Sequence, residues 1–252
     1  MNNAPIVMLC GPAGSGKDTT ARLIQKFVPN TGTIAQAAPL KDLGHDLFKF
    51  NDDQLYGPSE SRNAPDSRYD RKEMWSEVRW NKEVIRHWLA TNFASFPTNT
   101  VETHFAVWLD KLQQDTQLQG KSLTPRYMLQ TLGTEFGRAI DPDVWAKIAM
   151  HKSKKNLLGG TADLMIITDG RFKNEVLNAK MNNAMVILIT TPELNTAVEK
   201  AGVKGHASEA QLKEIPNFWY HHVILNLKQL GLKYYETEIE TFCRQNFNGG
   251  IF

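Results

Sequence analysis

Ile6-Val7-Met8-Leu9-Cys10-Gly11-Pro12-Ala13-Gly14-Ser15-Gly16-Lys17-Asp18-Thr19-Thr20-Ala21 is the stretch whose reading decides the fold. Five apolar residues in a row, Ile6 to Cys10, predict a buried strand of the kind found inside a parallel sheet. Glycines at 11, 14 and 16 let the chain curl until successive backbone N–H groups face one anion. Asp18 to Phe27 has helical spacing, with Ala21, Leu23, Ile24 and Phe27 apolar. A helix that starts near Lys17 turns its positive end toward the same anion. Lys17 adds a point charge suited to the β- and γ-phosphates of a nucleotide. Strand, G-x-x-x-x-G-K turn and helix in register make a phosphate loop, with Gly11, Ala13, Gly14, Ser15, Gly16, Lys17, Asp18 and Thr19 as its ATP contacts. The position after the lysine normally carries a Ser or Thr whose hydroxyl binds Mg²⁺. Here it is Asp18, followed by Thr19. Two readings stay open: Thr19 or Asp18 shares the metal work, or Asp18 is a first-turn carboxylate favoured by the helix dipole alone.

Working outward, Thr33 to Ala37 predicts a weaker strand, and Pro39 opens a helix buried through Leu40, Leu43, Leu47 and Phe48. Asn51 to Tyr69 reads as a long polar loop. Arg71 to Phe93 and Val101 to Leu118 read as helices, followed by helices from Pro125 to Phe136 and from Val144 to Met150. Leu164-Met165-Ile166-Ile167 and Ala184 to Thr190 are buried strands, with the helix Lys173 to Met181 between them. Val223 to Leu225 is a short last strand, and Leu230 to Phe242 a closing helix. Strands alternating with helices predict a parallel sheet covered on both faces. The expected organisation is a core of residues 1–49 and 121–252, a helical substrate-side insertion over 50–120, and a lid-like segment near 194–218.

Composition narrows the function classes. The chain has 252 residues, 41% hydrophobic and 22% charged, as globular proteins do. A net charge of +2 gives no electrostatic reason for a nucleic-acid or membrane partner. No apolar run approaches the ~20 residues needed to span a bilayer. The two cysteines, Cys10 and Cys243, stand far apart and read as reduced thiols of a cytosolic protein.

Several further segments point to one family. Gly16-Lys17-Asp18-Thr19-Thr20-Ala21, Ala38-Pro39-Leu40-Lys41-Asp42, Arg126-Tyr127-Met128-Leu129-Gln130-Thr131-Leu132-Gly133-Thr134 with Trp145 after it, Ile167-Thr168-Asp169-Gly170-Arg171 with Glu175, and Gly205-His206-Ala207-Ser208-Glu209 occur in this order. Together they resemble the bacteriophage deoxynucleoside monophosphate kinases. The resemblance implies a P-loop NTPase fold of three α/β/α layers around a parallel five-stranded sheet. It also implies transfer of the γ-phosphoryl group of ATP, with Mg²⁺, to the 5′-phosphate of a dNMP. The expected setting is the cytoplasm of an infected bacterium, and a homodimer is compatible with it.

The residues fit that chemistry. Asp169 and Arg171 follow a strand at its carboxyl end, where open parallel sheets bind ligands. Asp169 is placed to hold Mg²⁺, with Asp18 and Thr19. Arg171 is suited to a bidentate clamp on the acceptor phosphate, and Glu175, four residues on, is placed to hold its guanidinium. Arg126 and Gln130, at i and i+4, share a helix face. Arg126 suits a phosphate, and Gln130, donor and acceptor at once, suits a base edge. Gly133 and Thr134 continue the segment; a glycine there fits a close approach. Trp145 reads equally as core or as a base-stacking ring. Lys41 and Arg71 are further substrate contacts, and His206, Ser208 and Glu209 fall in the lid-like segment. The catalytic set is therefore Lys17, Asp18, Arg126, Asp169 and Arg171. A different acceptor, of phosphomevalonate or dephospho-coenzyme A type, is the rival within kinases. A nucleotide switch module is the rival outside them, although no N-K-x-D motif or D-E pair supports it.

Overall fold

The computed structural model describes residues 6–192 and 214–247. The expected His206-Ala207-Ser208-Glu209 segment and most of the lid-like stretch lie outside them. Two compact units emerge, one from Met1–Gln36 with Ala146–Phe252, the other from Ala37–Trp145.

The first unit is built on five strands: β1 (Ile6–Cys10), β2 (Thr31–Ile34), β3 (Leu164–Gly170), β4 (Met185–Thr190) and β5 (His222–Leu225). Their order is β2-β3-β1-β4-β5, and every pairing is parallel. The two-residue period of a strand sends Val7 and Leu9 to one face and Ile6, Met8 and Cys10 to the other. On the first face they meet Ile166, Ile187 and Ile189, together with Ala21 and Ile24 of a helix after β1 and Tyr235, Ile239 and Phe242 of a closing helix. On the second they meet Met165, Ile167 and Val186, with Ala149, Met150, Val176 and Ala179 from two more helices. The result is the expected α/β/α sandwich with its five-stranded parallel sheet. Each fully buried Ile or Leu of this kind contributes about 1.5–3 kcal/mol.

The second unit is helical throughout its described elements: α2 (Ala38–Asp46), α3 (Asp52–Tyr56), α4 (Ser59–Asn63), α5 (Lys72–Trp80), α6 (Lys82–Phe93), α7 (Thr98–Gln117), α8 (Pro125–Thr131) and α9 (Arg138–Ile140). A helix α1 (Lys17–Phe27) precedes them, and α10 (Val144–Leu158), α11 (Lys173–Met181) and α12 (Gly231–Asn246) follow, all belonging to the sandwich apart from the first turn of α10. Aromatic rings fill the helical unit's core. Phe48, Tyr69, Trp75 and Trp108 form one cluster, and Trp88, Phe93, Phe105 and Phe136 form another that joins it. Their polar tips are satisfied, as burial requires: Trp75 Nε1 donates to Tyr69 O at 2.8 Å, Trp88 Nε1 to Pro39 O at 2.7 Å and Tyr69 OH to Phe48 O at 2.6 Å.

Three expectations about single elements are corrected, and the compact helical unit runs from Ala37 to Trp145, where the sequence suggests an insertion over 50–120. Leu43, Leu47, Phe48, Met128 and Phe136 are buried, and Phe48 and Phe136 stand among the clustered aromatic rings. Asn51 to Tyr69 is a series of short turns, not a loop. Its polar residues are caps: Asn51 and Gln54 exchange backbone-to-side-chain bonds at 3.0 and 2.9 Å, and Asp66 caps the turn Ser67–Asp70 while pairing with Arg68 at 2.6 Å. The helix expected from Arg71 to Phe93 breaks at Asn81, whose ψ of 56° leaves the helical region. Finally, β2 ends at Ile34, so Gln36 and Ala37 form a turn into α2.

Candidate active site

The phosphate loop takes the form that its glycines predict. Gly11 adopts φ 151° and Gly16 φ 101°, both in the region that disfavours side chains. Space excludes them too: a Cβ on Gly11 would stand 2.3 Å from Ile189 O, and one on Gly16 2.4 Å from Asn226 Nδ2. The loop feeds into α1 at Lys17, so the helix's unpaired N–H groups open onto the curl. Lys17 is 7% exposed, and its ammonium bridges Gly11 O and Pro12 O, both at 2.8 Å. Burial, and then the positive charge of Arg171, lower its pKa to about 8, against opposing pulls from Asp18 and Asp169.

A cavity of about 600 Å³ opens beside the loop, within the range of small-ligand sites. Ala13, Gly14, Gly16, Lys17, Asp18 and Thr19 line one wall, and Thr168, Asp169 and Arg171 another. The expected ATP contacts and the strand-end pair Asp169 and Arg171 therefore share one site. A bulge delivers that pair. Met8 pairs with Ile167 but Cys10 with Gly170, so β3 carries one extra residue where Thr168 and Asp169 stand. Asp169 Oδ1 accepts the backbone N–H of Gln36 at 2.8 Å.

Glu175 is placed differently from expectation. Its carboxylate is 7% exposed and accepts the backbone N–H groups of Arg171 and Phe172 at 2.7 and 3.0 Å. It fixes the chain at Arg171 from below rather than holding the guanidinium, because the two bonds cap the start of α11. Burial raises its pKa, against these two bonds.

Residues far along the chain complete the cavity: Asn226, Lys228, Gly231, Leu232 and Tyr235, with Arg22. Asn226 Nδ2 donates to Ser15 O at 3.0 Å, and its backbone N–H to Thr190 O at 2.8 Å. Tyr235 OH and Thr20 Oγ1 lie 2.6 Å apart while Thr20 also bonds Gly16 O. The sequence reading missed these residues. The available signal was position, since Asn226 directly follows the carboxyl end of β5.

In the helical unit, Arg126 and Gln130 stand on α8. Arg126 Nη1 lies 3.5 Å from Ser59 Oγ, and Gln130 is exposed. Lys41 Nζ lies 4.0 Å over the ring of Tyr56. Arg71 is exposed at the start of α5. Gly133 and Thr134 fall in a π-helical stretch, Leu132–Gly137, a form that recurs at functional sites. Thr134 Oγ1 bonds Gln130 O at 2.7 Å. Trp145 is 6% exposed and donates its indole N–H to Gly133 O at 2.9 Å, so it braces this stretch from its buried side. A Cβ on Gly133 meets nothing nearer than 3.7 Å, whereas one on Gly137 would stand 2.2 Å from Trp145 Cζ2. Gly137, not Gly133, is the glycine that packing demands.

Among the described residues no helix is long and apolar enough to cross a membrane, and no group of three or more His, Cys, Asp or Glu side chains is gathered for a metal. The chain is similar to known deoxynucleotide monophosphate kinases. A 252-residue alignment with the deoxynucleoside-5′-monophosphate kinase of Escherichia phage T5 covers 94% of this chain and 95% of that protein at 25% identity. A putative deoxynucleotide monophosphate kinase of Acanthamoeba polyphaga mimivirus is 30% identical over 108 residues, 41% of this chain and about half the length, 53%, of that relative. The family model for deoxynucleotide monophosphate kinase matches residues 5–231, and the chain belongs to that family.

Proposed function

We propose that this protein transfers the γ-phosphoryl group of ATP to the 5′-phosphate of a deoxynucleoside monophosphate, giving ADP and a dNDP. The observation that carries the proposal is one cavity lined by the phosphate loop, Lys17, Asp18, Asp169 and Arg171. An oxygen of the acceptor phosphate attacks the γ-phosphorus, and the bond to the β–γ bridging oxygen breaks, with ADP leaving on that electron pair. The acceptor is already an anion, so no strong general base is required, and the protein's work is positioning and neutralisation of moving charge. Lys17 and the loop N–H groups hold the β- and γ-phosphates. Arg171, anchored through its backbone by Glu175, holds the acceptor phosphate.

Asp18, Asp169 and the Thr19 hydroxyl offer oxygen ligands on one cavity, a donor set suited to Mg²⁺, which keeps several waters and takes few carboxylates. When bound, the ion would neutralise charge on the β- and γ-phosphates. To the helical unit we assign the acceptor contacts Arg126 and Gln130, with Lys41 and Arg71 as further cations and Gly133, Thr134 and Trp145 as the supporting stretch.

An ADP-release assay with ATP, Mg²⁺ and each of dAMP, dGMP, dCMP and dTMP tests the reading. Turnover that depends on a dNMP, and is lost in Lys17→Ala and Arg171→Ala, supports it. ADP release without acceptor, or only with phosphomevalonate or dephospho-coenzyme A, refutes it.

A further inference from the structure

The closing helix α12 holds α1 at both ends. Glu236 pairs with Lys26 in the last turn of α1. Its neighbour Tyr235 reaches the first turn, where its hydroxyl stands 2.6 Å from Thr20 Oγ1, both side chains being buried. Thr20 Oγ1 also donates to Gly16 O at 2.9 Å. A hydroxyl has one proton to give. With that proton on Gly16 O, Thr20 Oγ1 is the acceptor of the second bond and Tyr235 is its donor. The phenol thus donates to the threonine and the threonine to the phosphate loop, a chain in which buried hydrogen bonds strengthen one another.

The end of the chain is the part that matters for a ligand. Gly16 O belongs to the same planar peptide as the Lys17 N–H, and the two point in opposite directions. Drawing the oxygen down along α1 therefore turns the Lys17 N–H out of the helix start and into the curl of the loop. Gly16, at φ 101°, has no side chain to resist a rotation of this peptide. Its carbonyl bonds must do so. One is the backbone bond that any helix makes, from the Thr20 N–H at 2.8 Å. The other is the hydroxyl chain, which Tyr235 completes from 215 residues away while its side chain lines the cavity.

We propose that Tyr235 is a positioning residue for the donor nucleotide: through Thr20 it fixes the Gly16–Lys17 peptide that faces the phosphates of ATP. The inference rests on the reading of the loop as the ATP site.

Titration calorimetry with a non-hydrolysable ATP analogue tests it on wild type, Tyr235→Phe, Thr20→Val and the double variant. No dNMP is present, so the result is independent of the acceptor. Tyr235→Phe should weaken binding about five- to tenfold, the usual size of one such bond, and Thr20→Val at least as much. The double variant should bind no worse than Thr20→Val, because the phenol acts only through the threonine. Thr20→Ser keeps the hydroxyl and should bind as wild type does. In turnover, Tyr235→Phe should raise the KM for ATP and leave that for the dNMP at its wild-type value. A Tyr235→Phe protein that melts earlier but binds the analogue normally would make the pair a packing contact and overturn the proposal. Losses that multiply in the double variant would overturn it too. If Tyr235→Phe does not fold, Thr20→Val and Thr20→Ser decide, and equal affinities overturn the proposal. A wild type that binds no nucleotide overturns the reading of the loop, and the inference with it.

Discussion

Lys17 makes nucleotide binding sensitive to pH in a range where lysines ordinarily do not titrate. Burial and the nearby Arg171 lower its pKa to about 8 in the free protein. Below that value the side chain is charged; above it the charge is lost. Bound phosphates reverse the shift, since an adjacent polyanion favours the ammonium. Raising the pH from 7 to 9 takes the free protein from roughly nine-tenths charged to about one-tenth. The dissociation constant of a non-hydrolysable ATP analogue should therefore rise about tenfold over that interval, or about 1.4 kcal/mol. Near pH 8, binding should take up about half a proton. Neighbouring groups do not imitate the effect: burial pushes the Cys10 thiol and the Tyr235 hydroxyl upward, so both keep their protons. Titration calorimetry in two buffers with different heats of ionisation measures affinity and proton uptake together. A flat affinity with no proton uptake from pH 7 to 9 would refute the argument.

Three substitutions extend the account. Gly137→Ala should destabilise the protein by about 1–3 kcal/mol through collision with Trp145, whereas Gly133→Ala should be within about 1 kcal/mol of wild type, as a pair of thermal or urea melts will show. Asn226→Ala removes the donor to Ser15 O; the KM for ATP should rise about five- to tenfold while that for the dNMP stays put, consistent with the loss of one buried hydrogen bond. Glu175→Ala leaves the N–H groups of Arg171 and Phe172 without their acceptor. It should lower both stability, by about 2–4 kcal/mol, and kcat, with Glu175→Gln recovering part of each; a variant with normal kcat would show that Arg171 does not depend on this anchor.

The sandwich was legible because its signals are local. Ile6 to Cys10, the glycine turn and α1 follow one another without a gap, and the runs at Leu164 and Met185 have the length and composition of buried strands. The same locality located Lys17, Asp18, Asp169 and Arg171, which face one cavity. What escaped depends on contacts between distant positions. Asn226 and Tyr235 reach the phosphate loop over more than 200 residues of chain, and no spacing rule records that. The boundary at Ala37 was hidden because the apolar stripes of α2 and α8 look the same whether they cover a sheet or an aromatic cluster. Glu175 was correctly paired with Arg171 by spacing. Only the structure distinguishes a bond to its backbone from one to its guanidinium.

The most direct test of the central claim is to follow the phosphoryl group itself. ATP labelled in its γ-phosphate is incubated with the protein, Mg²⁺ and a dNMP, and the products are separated. The account predicts label in the β-position of the dNDP, with ADP formed in equal amount and neither product in Arg171→Ala. Label recovered only as inorganic phosphate, at a rate indifferent to the dNMP, would contradict it.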